Sequence, residues 1–237
     1  LSKILQDRVA LITGASRGIG RAAALRLAAL GAHVVCVART QGALEELDDA
    51  IAADGGKAIL VPEDLTQPDT IERIAAAVAE RYGKLDILVG NAGTLGGDLT
   101  PVGHGGPQTL ERIFAVNVTA NWRLINAFDP LLRRSDAGRA LFVTDPVARK
   151  NTPFWGAYAA SKAALETLVL TWAAEIGSIT RIKVNLIAPV PTATRLRARA
   201  FPGEAPASLR QPEQVADLFV PLVMPDCQFH GRIVAIE

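Results

Sequence analysis

The chain has 237 residues, 49% of them apolar, enough to bury the core of one large α/β domain. Its 25 basic and 24 acidic residues leave a net charge of +1, which is no electrostatic footprint for nucleic acid or an anionic membrane. Two cysteines are too few for a disulfide framework, and no apolar run approaches the roughly 18 residues that a membrane span needs.

The opening segment LSKILQDR lacks a signal-peptide layout, so a cytoplasmic, reducing setting is expected. RVALIT (8–13) then reads as a buried strand, and TGASRGIG (13–20) follows it directly into a helix. Gly14, Gly18 and Gly20 suit a tight turn where backbone approaches a pyrophosphate at a helix N-terminus. Gly14, Ser16, Arg17, Gly18, Ile19 and Gly20 are therefore the cofactor candidates of this turn. The helix GRAAALRLAALG ends on Gly31, a natural C-cap.

HVVCVA (33–38) is the second strand, with Cys36 a packed thiol. A site selective for NAD would place a carboxylate at its end, but the residues there are Ala38 and Arg39. Arg39, with Arg17 as a second candidate, can pair with a 2′-phosphate, which favours NADP(H) over NAD(H). KAILVP (57–62) is the third strand, and QPDTIERIAAAVAERYG (67–83) a helix with Pro68 in its first turn and Gly83 at its close.

LDILVG (85–90), RALFVT (139–144), RIKVNLIA (181–188) and GRIVAI (231–236) complete the strands. Their near-continuous apolar character fits a parallel sheet covered on both faces, and strand–helix alternation implies right-handed crossovers. The expected fold is a single doubly wound α/β domain over residues 1–237, with about seven strands. Gly and Pro gather at 96–107 and 189–206, as in irregular loops beside a sheet.

YAASK (158–162) puts Tyr158 and Lys162 one helical turn apart. A fixed ammonium beside a phenol favours phenolate, so the pair is a candidate acid–base device. The helix that carries it, about Gly156 to Ile179, is apolar on two stripes. Ala160, Ala164, Leu168 and Trp172 line one, and Leu165, Val169 and Ala173 the other. One face would meet the sheet and the other a second subunit, giving a homo-oligomer, most simply one with two-fold axes.

Taken in order and spacing, TGASRGIG, Asp64, Asn91-Ala92-Gly93, Asn117, YAASK and NLIAP resemble the short-chain dehydrogenase/reductase superfamily over essentially the whole chain. The resemblance implies a Rossmann-type fold with helices on both faces of the sheet, hydride exchange between NAD(P) and a small carbonyl or alcohol, and usually a homodimer or homotetramer; no metal site is expected. It implies that Tyr158 is the acid–base group, that Lys162 lowers its pKa and binds the nicotinamide ribose, and that Asn117 holds a relay water. Asp64 and Leu65 would meet the adenine, Asn91, Ala92 and Gly93 would pass the adenosine half, and Thr192 or Thr194 would contact the carboxamide.

Three departures stand out. Gly90 replaces the first Asn of the usual Asn-Asn-Ala-Gly, and Pro189-Val190 replaces Pro-Gly. More seriously, the usual Ser thirteen residues before the Tyr is Asp145. Thr144 next door should face the opposite way. An ionised Asp145 within ~4 Å of Tyr158 would oppose phenolate by ~4 kcal/mol at an effective dielectric of 20. A protonated one would donate to a carbonyl, and one turned away would pair with Arg149 or Lys150.

Substrate contacts are expected from 94–105, 146–157 and 190–210, with Leu95, Phe154 and Trp155 as apolar walls. Arg195, Arg197 and Arg199 read as a solvated basic face, and His104 as plain loop. Two function classes follow. One is an NADP(H)-dependent oxidoreductase; the other is a nucleotide-binding sensor or structural subunit on the same scaffold, with little catalysis.

Overall fold

The computed structural model describes residues 3–235. The chain runs β1 (Val9–Thr13), α1 (Gly18–Ala29), β2 (His33–Val37), α2 (Gln41–Ala53), β3 (Lys57–Val61), α3 (Thr70–Tyr82) and β4 (Ile87–Gly90). It continues through α4 (Pro107–Phe114), α5 (Ala120–Leu132), β5 (Arg139–Val143), α6 (Gly156–Ile176) and β6 (Lys183–Ala188) to α7 (Arg195–Ala200), α8 (Pro212–Asp217), α9 (Val220–Val223) and β7 (Arg232–Ala235). Ile236, expected in the last strand, lies outside the described residues.

The strands form one seven-stranded parallel sheet in the order β3-β2-β1-β4-β5-β6-β7. Side chains alternate along each strand, so one run feeds two cores. Ala10 and Ile12 of β1 pack with Ala23, Leu27 and Phe219 on one face of the sheet. Val9 and Leu11 pack with Leu88, Phe128, Leu165 and Val169 on the other. This double coverage explains the near-continuous apolar strands. Strand order reverses between β1 and β4, and in open α/β sheets ligands bind beyond the carboxyl ends of the strands at such a switch point.

Helix ends follow local chemistry, with two corrections. Gly31 (φ 99°) and Gly83 (φ 71°) adopt the left-handed conformation that stops α1 and α3. Pro68 is not in the first turn of α3, because Asp69 takes φ 56° and the helix begins only at Thr70. Trp172 does not line an outer stripe of α6. It is buried, donates to Asp129 at 3.1 Å and meets Phe142 edge-on. Cys36 and Cys227 are free and buried, and burial, helped by Asp48, pushes the Cys36 thiol up to about 12. Among the described residues no helix is long and apolar enough to cross a membrane, and no cluster of His, Cys, Asp or Glu is arranged to hold a metal.

Candidate active site

The glycine-rich turn is built almost entirely from backbone. Gly14 (φ 66°) and Gly18 (φ 54°) bend the chain out of β1 and into α1. A Cβ on Gly20 would lie 2.3 Å from the Gly14 carbonyl and 2.4 Å from Asn91 Nδ2. Asn91 locks the turn to β4, donating to the carbonyls of Thr13 at 2.9 Å and Gly14 at 3.3 Å. The Thr13 hydroxyl receives the N–H groups of Asn91 and Ala92, both at 3.0 Å. Sequence reading missed Thr13, whose only signal is a hydroxyl at the end of an apolar strand. The N-terminus of α1 has no capping side chain and no acid in its first turn, so its N–H groups suit an anion.

Ser16 and Ile19 are partly buried in this turn, while Arg17 is exposed just before α1. Arg39 is also exposed and reaches Asp64 at 3.8 Å. The Asp64 carboxylate accepts from the Thr66 N–H at 2.9 Å and the Thr66 hydroxyl at 2.8 Å. Burial alone would raise its pKa, but these bonds and the Arg39 guanidinium hold it below the ordinary value. Leu65 turns its side chain into the core, so only its backbone remains available there.

At the other end of the site, β5 delivers side chains against α6. The Tyr158 hydroxyl donates to Asp145 at 3.4 Å. Asp145 also accepts from the Val147 N–H at 2.9 Å, capping the short turn Pro146–Arg149. The turned-away arrangement is thus overturned, because Arg149 is engaged elsewhere: it donates to Glu166 at 2.7 Å. Thr144 faces that same carboxylate at 2.6 Å, opposite to Asp145.

Lys162 is buried and donates to the Val143 carbonyl at 2.8 Å. Burial pulls the Lys162 pKa down to about 8, although Asp145 and Glu166 hold it up. Burial also raises the Tyr158 phenol well above its ordinary value, and the Asp145 charge and hydrogen bond add to that. The pair as it stands keeps the phenol protonated, the form that can give a proton to a carbonyl oxygen.

Asn117 lies in a π-helical turn, Ala115–Thr119, between α4 and α5. Its side chain binds both backbone groups of Thr94, at 2.9 and 3.0 Å, and donates to Ser161 at 3.0 Å. It therefore fastens the loop after Gly93 to α6, and Ser161 is a second residue that sequence reading missed. Gly90 is explained by packing: a Cβ there would sit 2.3 Å from Phe142, which fills that space.

The roof of the site is apolar. Leu95, Val147, Trp155 and Tyr158 form a small cluster with Leu196 and Ala200 of α7 packed against it. Phe154 is 56% exposed at φ 71° and does not join this wall. Of the three α7 arginines, Arg195 and Arg199 stay exposed to solvent, as expected, and only Arg197 is partly buried. Arg197 pairs with Glu204 at 2.6 Å and stacks on Phe201, and Arg199 pairs with Asp98 at 3.0 Å. His104 is exposed in its loop. Pro189 is partly buried. Thr192 donates to Val190 at 2.7 Å and Thr194 accepts from the Arg197 N–H at 3.1 Å, so both hydroxyls already have partners. The Thr194 methyl lies 3.2 Å from a Cβ built on Gly18, which brings the loop after β6 down on the glycine-rich turn.

A parallel sheet with a glycine-bounded anion cradle beside a buried Tyr–Lys pair defines a nucleotide-dependent oxidoreductase. The family model for short chain dehydrogenases matches residues 8–205, and the chain belongs to that family. It is 38% identical over 226 residues to the uncharacterized oxidoreductase YciK of Escherichia coli K12, covering 94% of this chain and 88% of that one. A short chain dehydrogenase from Shigella flexneri 2a, solved with NADP, superposes with a TM-score of 0.92 at 34% identity over 99% of both chains. An uncharacterized oxidoreductase of Mycobacterium tuberculosis, named as NAD-dependent, is 36% identical over 200 residues, 78% of this chain and 71% of that one.

Proposed function

We propose that this dehydrogenase/reductase uses NADP(H) to reduce an apolar carbonyl compound, with Tyr158 as proton donor and Lys162 as its charged partner. The observation that carries the reading is the buried Tyr158–Lys162 pair of α6, packed against the end of β5, where Lys162 donates to the Val143 carbonyl and Tyr158 to Asp145. The cradle at Gly14, Gly18 and Gly20, with the uncapped start of α1, fits a dinucleotide pyrophosphate. Arg17 and Arg39 would face the 2′-phosphate, and the NADP complex of the Shigella relative supports that choice.

When bound, the dinucleotide supplies the hydride. Tyr158 holds a proton at its hydroxyl for the carbonyl oxygen, and Lys162 holds positive charge beside the nicotinamide ribose. Asn117 fixes the 93–94 loop against α6, where a relay water would sit. Leu95, Val147 and Trp155 exclude water from the reacting carbonyl.

A panel of aldehydes and ketones with NADPH, run from pH 5 to 9, tests the reading. Turnover should fall by ~10²–10⁴ in Tyr158→Phe with fold and cofactor binding intact. If no carbonyl is reduced while NADPH binds, the nucleotide-binding role without catalysis replaces it.

We read the described residues as one domain of a cytoplasmic homo-oligomer with two-fold symmetry. Leu165, Val169 and Ala173 of α6 face the sheet, whereas Ala160 is exposed and Ala164 and Leu168 are only partly covered. Trp122 of α5 and Leu110 of α4 add exposed apolar surface. Light scattering should give a mass above 25 kDa at micromolar concentration; a stable 25 kDa monomer removes this assembly.

A further inference from the structure

Three consecutive residues at the end of β5 meet three residues spaced four apart on α6. The Val143 carbonyl takes Lys162 at 2.8 Å, the Thr144 hydroxyl donates to Glu166 at 2.6 Å, and Asp145 accepts from Tyr158 at 3.4 Å. Tyr158, Lys162 and Glu166 therefore share one face of the helix. Beyond Asp145 the chain turns through Pro146–Arg149, and Arg149 donates at 2.7 Å to the same Glu166 oxygen that Thr144 binds. One buried oxygen thus ties down both ends of segment 144–149.

We propose that Glu166 is a positioning residue of the reductase: it clamps the Asp145 segment onto α6 and sets a buried carboxylate one turn beyond Lys162. The proposal rests on the reading of Tyr158 and Lys162 as the working pair. Burying a carboxylate is costly unless it is paired, and Glu166 is only 7% exposed. A neutral amide oxygen could also take the bonds from Thr144 and Arg149, although more weakly, so the shape of the clamp alone does not require a charge. Lys162 does benefit from one, because burial drives it toward the neutral form while Asp145 and Glu166 oppose that. Charges of alternating sign result: Asp145, Lys162, Glu166 and Arg149, the last partly exposed at the rim.

Glu166→Gln keeps the shape and removes the charge. In protein labelled with ¹³C-lysine, with the Lys162 signal assigned by Lys162→Met, the Lys162 titration midpoint should fall by about one pH unit. The alkaline limb of NADPH-dependent carbonyl reduction should move the same way, and Glu166→Asp should bring both back toward wild type. An unmoved Lys162 midpoint in Glu166→Gln overturns the proposal, as does a Glu166→Asp variant that behaves like Gln. Should Glu166→Gln fail to fold, Arg149→Met leaves Glu166 unshielded and should raise the midpoint; no rise counts against the proposal. The lysine titration needs no turnover, so a wild type that reduces no carbonyl refutes the proposed function while the Glu166 test still stands.

Discussion

Between β1 and α1 the site is made of backbone: glycines, peptide N–H groups and the Asn91 amide that fastens them. At the end of β5 it is made of side chains: Asp145 takes Tyr158, Glu166 takes Thr144 and Arg149, and Lys162 rests on the Val143 carbonyl. Backbone geometry of the first kind leaves no room for an added methyl. A side-chain network of the second kind accepts a changed residue if charge and hydrogen bonds are rebalanced. The two ends should therefore respond differently to substitution.

Asp145→Ser should have the largest effect, and in the unusual direction. Asp145 accepts a hydrogen bond from the Tyr158 hydroxyl and, after burial, adds to the pKa rise of that phenol, so it disfavours phenolate and offers no neutral donor. Ser restores a donor toward the carbonyl oxygen, and oriented donors of this kind are typically worth ~10²–10³ in rate. Carbonyl reduction at pH 7 should rise accordingly. Because Asp145 helps to raise the phenol, its loss should also start alcohol oxidation at lower pH. A variant slower at every pH, still folded and binding cofactor, would make Asp145 a participant or the essential cap of Val147.

Gly20→Ala probes the other end. Its Cβ would fall 2.3 Å from the Gly14 carbonyl, a backbone atom that cannot step aside. Overpacking of this sort costs ~1–3 kcal/mol, and each kcal/mol lowers Tm by about 2–4 °C in a chain of this size. NADPH affinity should weaken as well, since the turn must open. Gly97→Ala, with nothing within 4 Å of its Cβ, is the control and should stay within ~0.5 kcal/mol. Equal stability of the two variants, measured by thermal unfolding, would dissolve the contrast between the ends.

That contrast also decides what could be read from the sequence. The sheet and the glycine turn were legible because apolar runs, glycine spacing and position after the first strand are local signals. The left-handed Asp69 that displaces Pro68 from α3, and the π-helical turn around Asn117, depend on backbone geometry that no residue pattern announces. Glu166 was visible as a charge four residues past Lys162 on an apolar helix. Its burial, and its capture of Arg149 from Asp145, required the fold. Trp172 was misplaced because both faces of α6 are apolar, and periodicity alone cannot tell which one meets the sheet.

Arg39 gives the smallest expected effect and lies where the two kinds of construction meet, a single side chain at the edge of a backbone cradle. It is exposed, and Asp64 at 3.8 Å already shares its charge. A phosphate would have to compete with that carboxylate and with water, so the gain from the guanidinium is modest. We expect NADPH to bind about tenfold more tightly than NADH, or about 1.4 kcal/mol. Arg39→Ala should erase most of that difference while leaving NADH affinity unchanged, because the ribose hydroxyls of NADH have no use for the cation. Calorimetric titration of both dinucleotides into both proteins measures it. If Arg39→Ala retains the preference, Arg17 at the start of α1 carries the phosphate, and Arg17→Ala should then remove it. If wild type binds both dinucleotides equally, neither arginine is a phosphate ligand, and the missing carboxylate at Ala38 would mark tolerance of both cofactors.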